Sequence, residues 1–224
     1  PEKSKIITTP MTFAASSNVI IHAGHTPVFC EVEADTGNID AEQLEKYIDK
    51  DVKAIIVVHL YGQMCDMIKI KQIADKYNLR IIEDCAHCVE GKRDDILPGE
   101  LSEGCAYSFY STKNITCGEG GAVTTNNDSL AERIKITRLH GMTRDAHDRY
   151  YSKTFKQYDI DFPGYKFNMT DIQAALLTNQ LRRIEQTYER RHEIWKMYDE
   201  AFSGIRSFVA DVVAAERNSA EENF

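Results

Sequence analysis

The chain has 224 residues, with 27 Lys and Arg against 35 Asp and Glu, which gives a formal net charge of −8. A hydrophobic fraction of 42% is enough for a packed core, and the acidic balance excludes a protein that binds a nucleic-acid backbone through a basic stripe. The longest apolar run, at 54–58, is far shorter than the roughly 18 residues that a membrane span needs, and no signal-peptide pattern opens the chain.

Six cysteines are spread through mostly apolar surroundings, and no secretion signal accompanies them. In a chain of this length the combination predicts reduced, buried thiols and a cytoplasmic protein. The cysteines are Cys30, Cys65, Cys85, Cys88, Cys105 and Cys117.

Strand and helix patterns alternate in the first part of the chain, after a start that reads as ordered by Thr8. In chain order they predict a helix over Ala15–Ala23, a strand over Thr26–Val32, a helix over Asp40–Asp49, a strand over Lys53–His59, a helix over Asp66–Tyr77 and a strand over Leu79–Glu83. The alternation is typical of parallel strands joined by helical crossovers.

The second part continues the alternation and then becomes helical. It predicts strands over Cys105–Tyr110 and Gly121–Thr125, a helix over Asp128–Leu139, an aperiodic polar stretch over Thr143–Pro163, a long helical pattern in two pieces from a capping box at Thr170 and Gln173 to about Phe202, and a loose tail over Ala214–Phe224. The expected architecture is α/β, a mostly parallel sheet flanked by helices.

Reactive side chains follow two of the predicted strands, where ligands bind in open α/β sheets. Asp84 comes directly after one strand, and Lys113 follows the next. Asp84 has an ordinary interpretation as a helix N-cap, and Lys113 as an exposed turn residue. Together they match what pyridoxal phosphate requires, a Lys that forms a Schiff base and an acid on the ring nitrogen.

A C-x-x-C pair, Cys85 and Cys88, lies between these two residues and offers a rival interpretation. Such a pair after a strand is found in thioredoxin-like redox sites. A zinc site needs a second pair of ligands at metal spacing, and the sequence has none, so we expect no metal.

Five segments in the order of the chain resemble the DegT/DnrJ/EryC1/StrS family of pyridoxal-phosphate sugar aminotransferases. They are Thr9–Phe13, Val58–Gly62, Glu83–His87, Ser108–Gly121 and Pro163–Asp171. The resemblance runs from about Ile6 to Phe202. The residues of its motifs are most similar to those of the branch that acts on 4-keto-pentose nucleotides in lipid A modification. It implies a fold type I large domain over residues 1–165, whose N-terminal part is missing, and a long helical segment over 166–224 that starts a truncated small domain.

The resemblance also implies roles for single residues around the cofactor. Lys113 would form the internal aldimine and move the proton between substrate and cofactor. Asp84 would pair with the ring nitrogen, Phe13 would stack on the ring, His87 would lie near the ring and its phenolic oxygen, and Ser108 would hydrogen-bond the phosphate.

Relatives in this family are homodimers whose subunits share active sites. Lys166 and Asn168 stand where many members have Asn and Arg, so either residue could reach the phosphate. The implied reaction passes an amino group from glutamate to a keto sugar carried on a nucleotide diphosphate, without nucleic acid or membrane partners.

Several alternatives stay open at the level of sequence. Dehydratases of the family have His in place of Lys113, and cysteine desulfurases carry His where Thr112 stands, so both are disfavoured. The others are a redox module built on Cys85 and Cys88, and a catalytically incomplete fragment or regulatory homologue. Because the chain starts at Pro1 and relatives extend beyond both ends, a fragment is the expected form.

Overall fold

A six-stranded sheet forms the centre of the protein. The computed structural model describes residues 3–142 and 159–221, with side chains up to residue 205. The strands are β1 (Lys5–Thr8), β2 (Thr26–Phe29), β3 (Val52–Val58), β4 (Arg80–Asp84), β5 (Gly104–Ser108) and β6 (Gly121–Thr124). Their order across the sheet is β2-β1-β3-β4-β5-β6, and only the β5–β6 pairing is antiparallel. The predicted fold class, a mostly parallel α/β sheet, is confirmed.

The described residues form five α-helices. They are α1 (Ala15–His22), α2 (Met67–Tyr77), α3 (Asp128–Thr137), α4 (Asp171–Arg182) and α5 (Ile184–Glu221). The chain divides into two compact units, residues 1–179 with the whole sheet and residues 180–224 with the whole of the last helix. In the described part of the chain, no helix combines the length and apolar character needed to cross a membrane. The division into domains at residues 165 and 166 stays a prediction.

The core lies where β3 and β4 pack against α2. Every residue of β3 except Lys53 is buried, as expected for a central parallel strand with both faces covered. From α2, Ile70 and Ile73 enter the same apolar cluster as Ile55 and Ile81. The Asp66 side chain caps α2 by accepting a hydrogen bond from the Lys69 N–H, and Asn78 ends the helix in the left-handed region.

Most predicted elements are confirmed within a few residues, with four differences. The predicted helix over Asp40–Asp49 is wrong: only the 3₁₀ turn Leu44–Tyr47 forms, and the backbone hydrogen bonds close after three residues, from the Gln43 N–H to the Asp40 carbonyl at 3.1 Å and from the Lys46 N–H to the Gln43 carbonyl at 3.0 Å. The strand predicted over Thr26–Val32 ends at Phe29, and β1 has no counterpart among the predicted elements.

The fourth difference concerns the C-terminal half. The reciprocal capping box of Thr170 and Gln173 forms as predicted, and the helical pattern divides near Arg183. The tail expected to be loose is helical to Glu221, consistent with its several Ala, Glu and Arg residues, which are strong helix formers. Most of the polar stretch over Thr143–Pro163 lies outside the described residues.

We predict that the core around β3 sets the stability of the sheet. Ile55→Ala removes a fully buried side chain and should lower the free energy of unfolding by about 2–5 kcal/mol. Ile82→Ala, in the neighbouring strand where the side chain is 40% exposed, is the matched control and should cost about 1 kcal/mol or less. Urea unfolding followed by circular dichroism measures both, and equal losses would contradict the placement of the core.

Candidate active site

The candidate site lies at the carboxyl ends of the central strands. Asp84 is the last residue of β4, and Ser108 is the last residue of β5. The parallel register sets Asp84 beside Ala106, which places these two strand ends at one edge of the sheet. Lys113 follows in the turn after β5, where its N–H donates to the Tyr110 carbonyl at 3.0 Å.

The Asp84 carboxylate is held in one orientation by two donors. Its Oδ2 accepts from the Ser16 hydroxyl at 2.8 Å, and its Oδ1 accepts from the Ala86 N–H at 3.1 Å. Each oxygen of a carboxylate can accept about two hydrogen bonds, so the half-buried group can still bind a cation or an N–H.

His87 connects Asp84 and Lys113 electrostatically. Partial burial lowers the pKa of His87, the positive charge of Lys113 lowers this pKa further, and the negative charge of Asp84 acts in the opposite direction. Lys113 is itself half-buried. The structure therefore brings together three of the predicted site residues, an amine, an imidazole and a carboxylate.

The orientation of His87 depends on a strained neighbour. Tyr61 has a φ of 53°, in the left-handed region that side chains rarely adopt, and the next residue is Gly62. In this conformation the Tyr61 N–H donates to His87 Nδ1 at 3.4 Å, and the two rings stack with centroids 5.7 Å apart. Because Nδ1 accepts, the proton of the neutral imidazole is on Nε2.

A buried pair lies beneath the site. His59 Nε2 is 2.7 Å from Glu83 Oε2, and both side chains are at most 1% exposed. The Cys65 N–H donates to His59 Nδ1 at 3.2 Å, so Nε2 carries the proton and donates it to Glu83. Burial is the largest single effect on Glu83 and raises its pKa, but the interactions with His59, Ser102 and the Gly99 N–H together outweigh it, so the pKa of Glu83 is lowered.

Two further predicted residues lie at the same edge of the sheet. Phe13 lies two residues before α1 and is 80% exposed, so its ring is available to a ligand. Ser108 Oγ accepts from the Tyr110 N–H at 3.3 Å, which leaves its hydroxyl proton for another acceptor such as phosphate.

Lys166 and Asn168 lie on a separate segment, and both are exposed. Lys166 pairs with Leu139, just after α3. The next part of the segment contacts the loop after Lys113, where Met169 Sδ lies 3.5 Å from Cys117 Sγ. Their predicted role at the phosphate stays a prediction.

The cysteines are free and buried, as predicted. Burial raises the pKa of Cys88 to about 12, and the pKa of Cys85 is also raised, first by its contact with Cys105 and then by burial. Thiols of a redox pair need a lowered pKa and access, so this environment opposes the redox interpretation.

One group of residues meets the distance requirement for a metal site. His59, Glu83 and Cys85 have ligand atoms within 4.8 Å of one another. Both ring nitrogens of His59 are used in the hydrogen bonds described above, and Glu83 also accepts from the Gly99 N–H at 2.9 Å. These hydrogen bonds account for the group without an ion.

The sequence analysis missed Ser16, Tyr61 and the partner of Glu83. Ser16 could have been noticed because it occupies the apolar helix position four residues before Ile20. His59 directly follows the most apolar strand, so its burial was predictable, whereas its pairing with Glu83 depends on strand register. The conformation of Tyr61 left no sequence signal beyond the Gly that follows it.

The mostly parallel sheet with one antiparallel pairing is that of the fold type I aminotransferases. The pattern of the DegT/DnrJ/EryC1/StrS aminotransferase family matches residues 2–223, and the chain belongs to this family. The assignment to the lipid A branch stays a prediction.

Individual relatives agree with this assignment. The chain is 41% identical over 209 residues to the spore coat polysaccharide biosynthesis protein SpsC of Bacillus subtilis, covering 93% of this chain and 54% of SpsC. It superimposes on Helicobacter pylori PseC, an aminotransferase involved in the biosynthesis of pseudoaminic acid, with a TM-score of 0.82 and 32% identity, covering 89% of this chain and 52% of PseC.

A third relative has been solved with two forms of the cofactor. The sugar aminotransferase Spr1654 of Streptococcus pneumoniae, described as putative, superimposes in its PMP form with a TM-score of 0.80 and 33% identity, covering 90% of this chain and 55% of Spr1654. Its PLP form superimposes with a TM-score of 0.78. The chain spans about half the length of the curated relatives that it matches.

We predict opposite shifts of the His87 pKa when its two charged neighbours are removed. Lys113→Met should raise the pKa of His87, because a nearby positive charge disfavours imidazolium, and Asp84→Asn should lower it. Lys92→Met, which removes an exposed lysine paired with Asp95, is the control and should leave the His87 pKa unchanged. NMR titration of the imidazole carbon-bound proton measures each value, and an unchanged His87 pKa in both variants would show that the three groups lie apart.

We also predict that the cysteines of the folded protein are unreactive. Since all six are buried, Ellman's reagent at pH 8 should modify Cys85 and Cys88 slowly, whereas all six should react at once in denaturant. Fast modification of this pair, or formation of a disulfide between them in the folded protein, would restore the redox interpretation.

Proposed function

We propose that the protein, as part of a sugar aminotransferase, uses pyridoxal 5′-phosphate to transfer an amino group to a keto sugar carried on a nucleotide diphosphate. The observation that carries the proposal is the proximity of Lys113, His87 and Asp84 at the end of adjacent strands. Family membership supports the reaction class, because the family is described as one of aminotransferases.

The residues of the site fit this cofactor. Asp84 offers an oriented carboxylate to a protonated ring nitrogen, and Phe13 offers an exposed ring for stacking. Lys113 is the amine that would bind the aldehyde carbon. Ser108 can donate to a phosphate oxygen, and the neutral form of His87 can donate from Nε2 to an oxygen on the ring.

When bound, the cofactor supplies an electron sink for the charge left on the substrate carbon after proton removal. Lys113 is the base that would take this proton from the substrate carbon and pass it to the cofactor. A half-buried amine suits the role, because partial exclusion of water makes proton exchange with solvent slower than transfer within the site. The Asp84 carboxylate stabilises positive charge at the ring nitrogen throughout.

The remaining parts of the proposal concern partners. We expect glutamate as amino donor, and a homodimer in which Lys166 or Asn168 reaches the phosphate at the partner's site. Their exposure is consistent with a contact made between subunits. The free, buried cysteines are consistent with a cytoplasmic enzyme.

The acceptor is an amino-sugar precursor for a surface glycan. SpsC is named for spore coat polysaccharide and PseC for pseudoaminic acid, which supports this class of product. The residues of the motifs around Lys113 and Lys166 favour a 4-keto-pentose nucleotide as the more specific candidate for the acceptor.

We predict that borohydride fixes the cofactor on Lys113. Protein mixed with pyridoxal phosphate should absorb in the near-visible range, and after reduction peptide mapping should find the label on Lys113. Lys113→Ala should abolish labelling, whereas Lys92→Ala, at an exposed lysine, should retain it. Glutamate should then change the absorbance spectrum of the bound cofactor in the unmodified protein and in Lys92→Ala, but not in Lys113→Ala. Label on another lysine would contradict the proposal.

A further inference from the structure

A hydroxyl in the first turn of α1 contacts the carboxylate at the end of β4. Ser16 is 3% exposed, and its Oγ lies 2.8 Å from Asp84 Oδ2, a contact between residues 68 positions apart in the chain. A Ser at a buried helix position normally bonds back to its own helix, as its neighbour Ser17 does with the Ala14 carbonyl at 3.1 Å. Ser16 instead donates to a charged group in another element.

The contact is the end of a chain of two hydroxyls with a fixed direction. Thr12 Oγ1 and Ser16 Oγ are 2.8 Å apart. A hydroxyl has one proton, and Ser16 gives its proton to Asp84, so Thr12 must donate to Ser16. Successive hydrogen bonds in one direction polarise each other, which strengthens the bond that Asp84 receives.

The same residue also fixes the loop that carries Phe13. The Ser16 N–H donates to the Phe13 carbonyl at 3.2 Å, and Thr12 is the other neighbour in the hydroxyl chain. Ser16 therefore ties the backbone of Phe13 and the side chain of Asp84 to a single turn of α1.

We propose that Ser16, supported by Thr12, is a positioning residue that holds the Asp84 carboxylate and Phe13 at the positions needed to bind a flat cationic ring between them. The inference rests on the proposed function, because it assigns the ring nitrogen to Asp84 and the ring face to Phe13. Without the Ser16 hydroxyl, Asp84 keeps only the Ala86 N–H, and its carboxylate can rotate away from the ring nitrogen.

The test is the affinity of the protein for pyridoxal phosphate, measured by absorbance titration. Ser16→Ala should weaken binding about tenfold, as expected for the loss of one hydrogen bond to a charged group. Ser16→Thr, which keeps the hydroxyl, should restore affinity to within about threefold. Thr12→Val should weaken binding about threefold. The matched control is Ser17→Ala, which removes a hydroxyl bonded to its own helix and should leave affinity unchanged.

A background variant separates positioning from general damage to the fold. In Asp84→Ala, Ser16→Ala should cause no further loss of affinity, because the group that it positions is gone. In the cofactor-free protein, Ser16→Ala should also shift the NMR signal of the Ala86 N–H, which shares the carboxylate, while Ser17→Ala should not.

The outcomes distinguish the two proposals. If the unmodified protein binds pyridoxal phosphate and Ser16→Ala binds it equally well, the positioning role is overturned and the proposed function stands. If Ser16→Ala weakens binding as much in the Asp84→Ala background as alone, the effect is structural and the inference is wrong. If the unmodified protein does not bind pyridoxal phosphate, both proposals fail.

Discussion

The hydrogen bond between His59 and Glu83 is the interaction on which the site geometry depends. It joins the residue after β3 to the penultimate residue of β4 in a fully buried place, where a carboxylate without a partner would be strongly destabilising. The His59 N–H also donates to the Asp84 carbonyl at 3.1 Å. Side chain and backbone of one histidine therefore fix the end of β4, and with it the point at which Asp84 leaves the sheet.

Because side chains alternate between the two faces of β4, the adjacent acids Glu83 and Asp84 lie in different environments. Successive side chains of a strand point to opposite faces, so Glu83 enters the core with Ile81 while Asp84 remains half-buried at the edge. The buried acid is satisfied by His59 and by the Gly99 N–H, and it contributes to structure alone. Asp84 keeps free acceptor capacity, which is the property that binding of a cationic ring requires.

How well the sequence predicts each contact of the site depends on how far apart its residues lie along the chain. Local patterns predict the strands around Asp84 and Lys113, because a strand end and the residues after it are set within a few positions. The helix predicted after Asp40 forms only as a 3₁₀ turn, because the equally local backbone hydrogen bonds there close after three residues. Contacts such as Ser16 with Asp84, or His59 with Glu83, join distant positions, and only the order and register of the strands bring them together. The strained conformation of Tyr61 also belongs with these distant contacts, since the Tyr61 N–H donates to His87, 26 positions away in the chain.

The charges of the site balance in a way that favours proton transfer. His87 lies between an amine and a carboxylate, and the effects of burial and of Lys113 together outweigh that of Asp84, so its pKa is lowered. A neutral imidazole adds no positive charge that would compete with a cationic ring for Asp84. In the proposed function it also leaves Lys113 as the nearby group able to exchange a proton at a substrate carbon, while the Tyr61 N–H keeps the imidazole in the tautomer that donates from Nε2. The backbone strain at Tyr61 thus has a physical role, because relaxing it would free His87 to accept a hydrogen bond where the proposed function requires a donor.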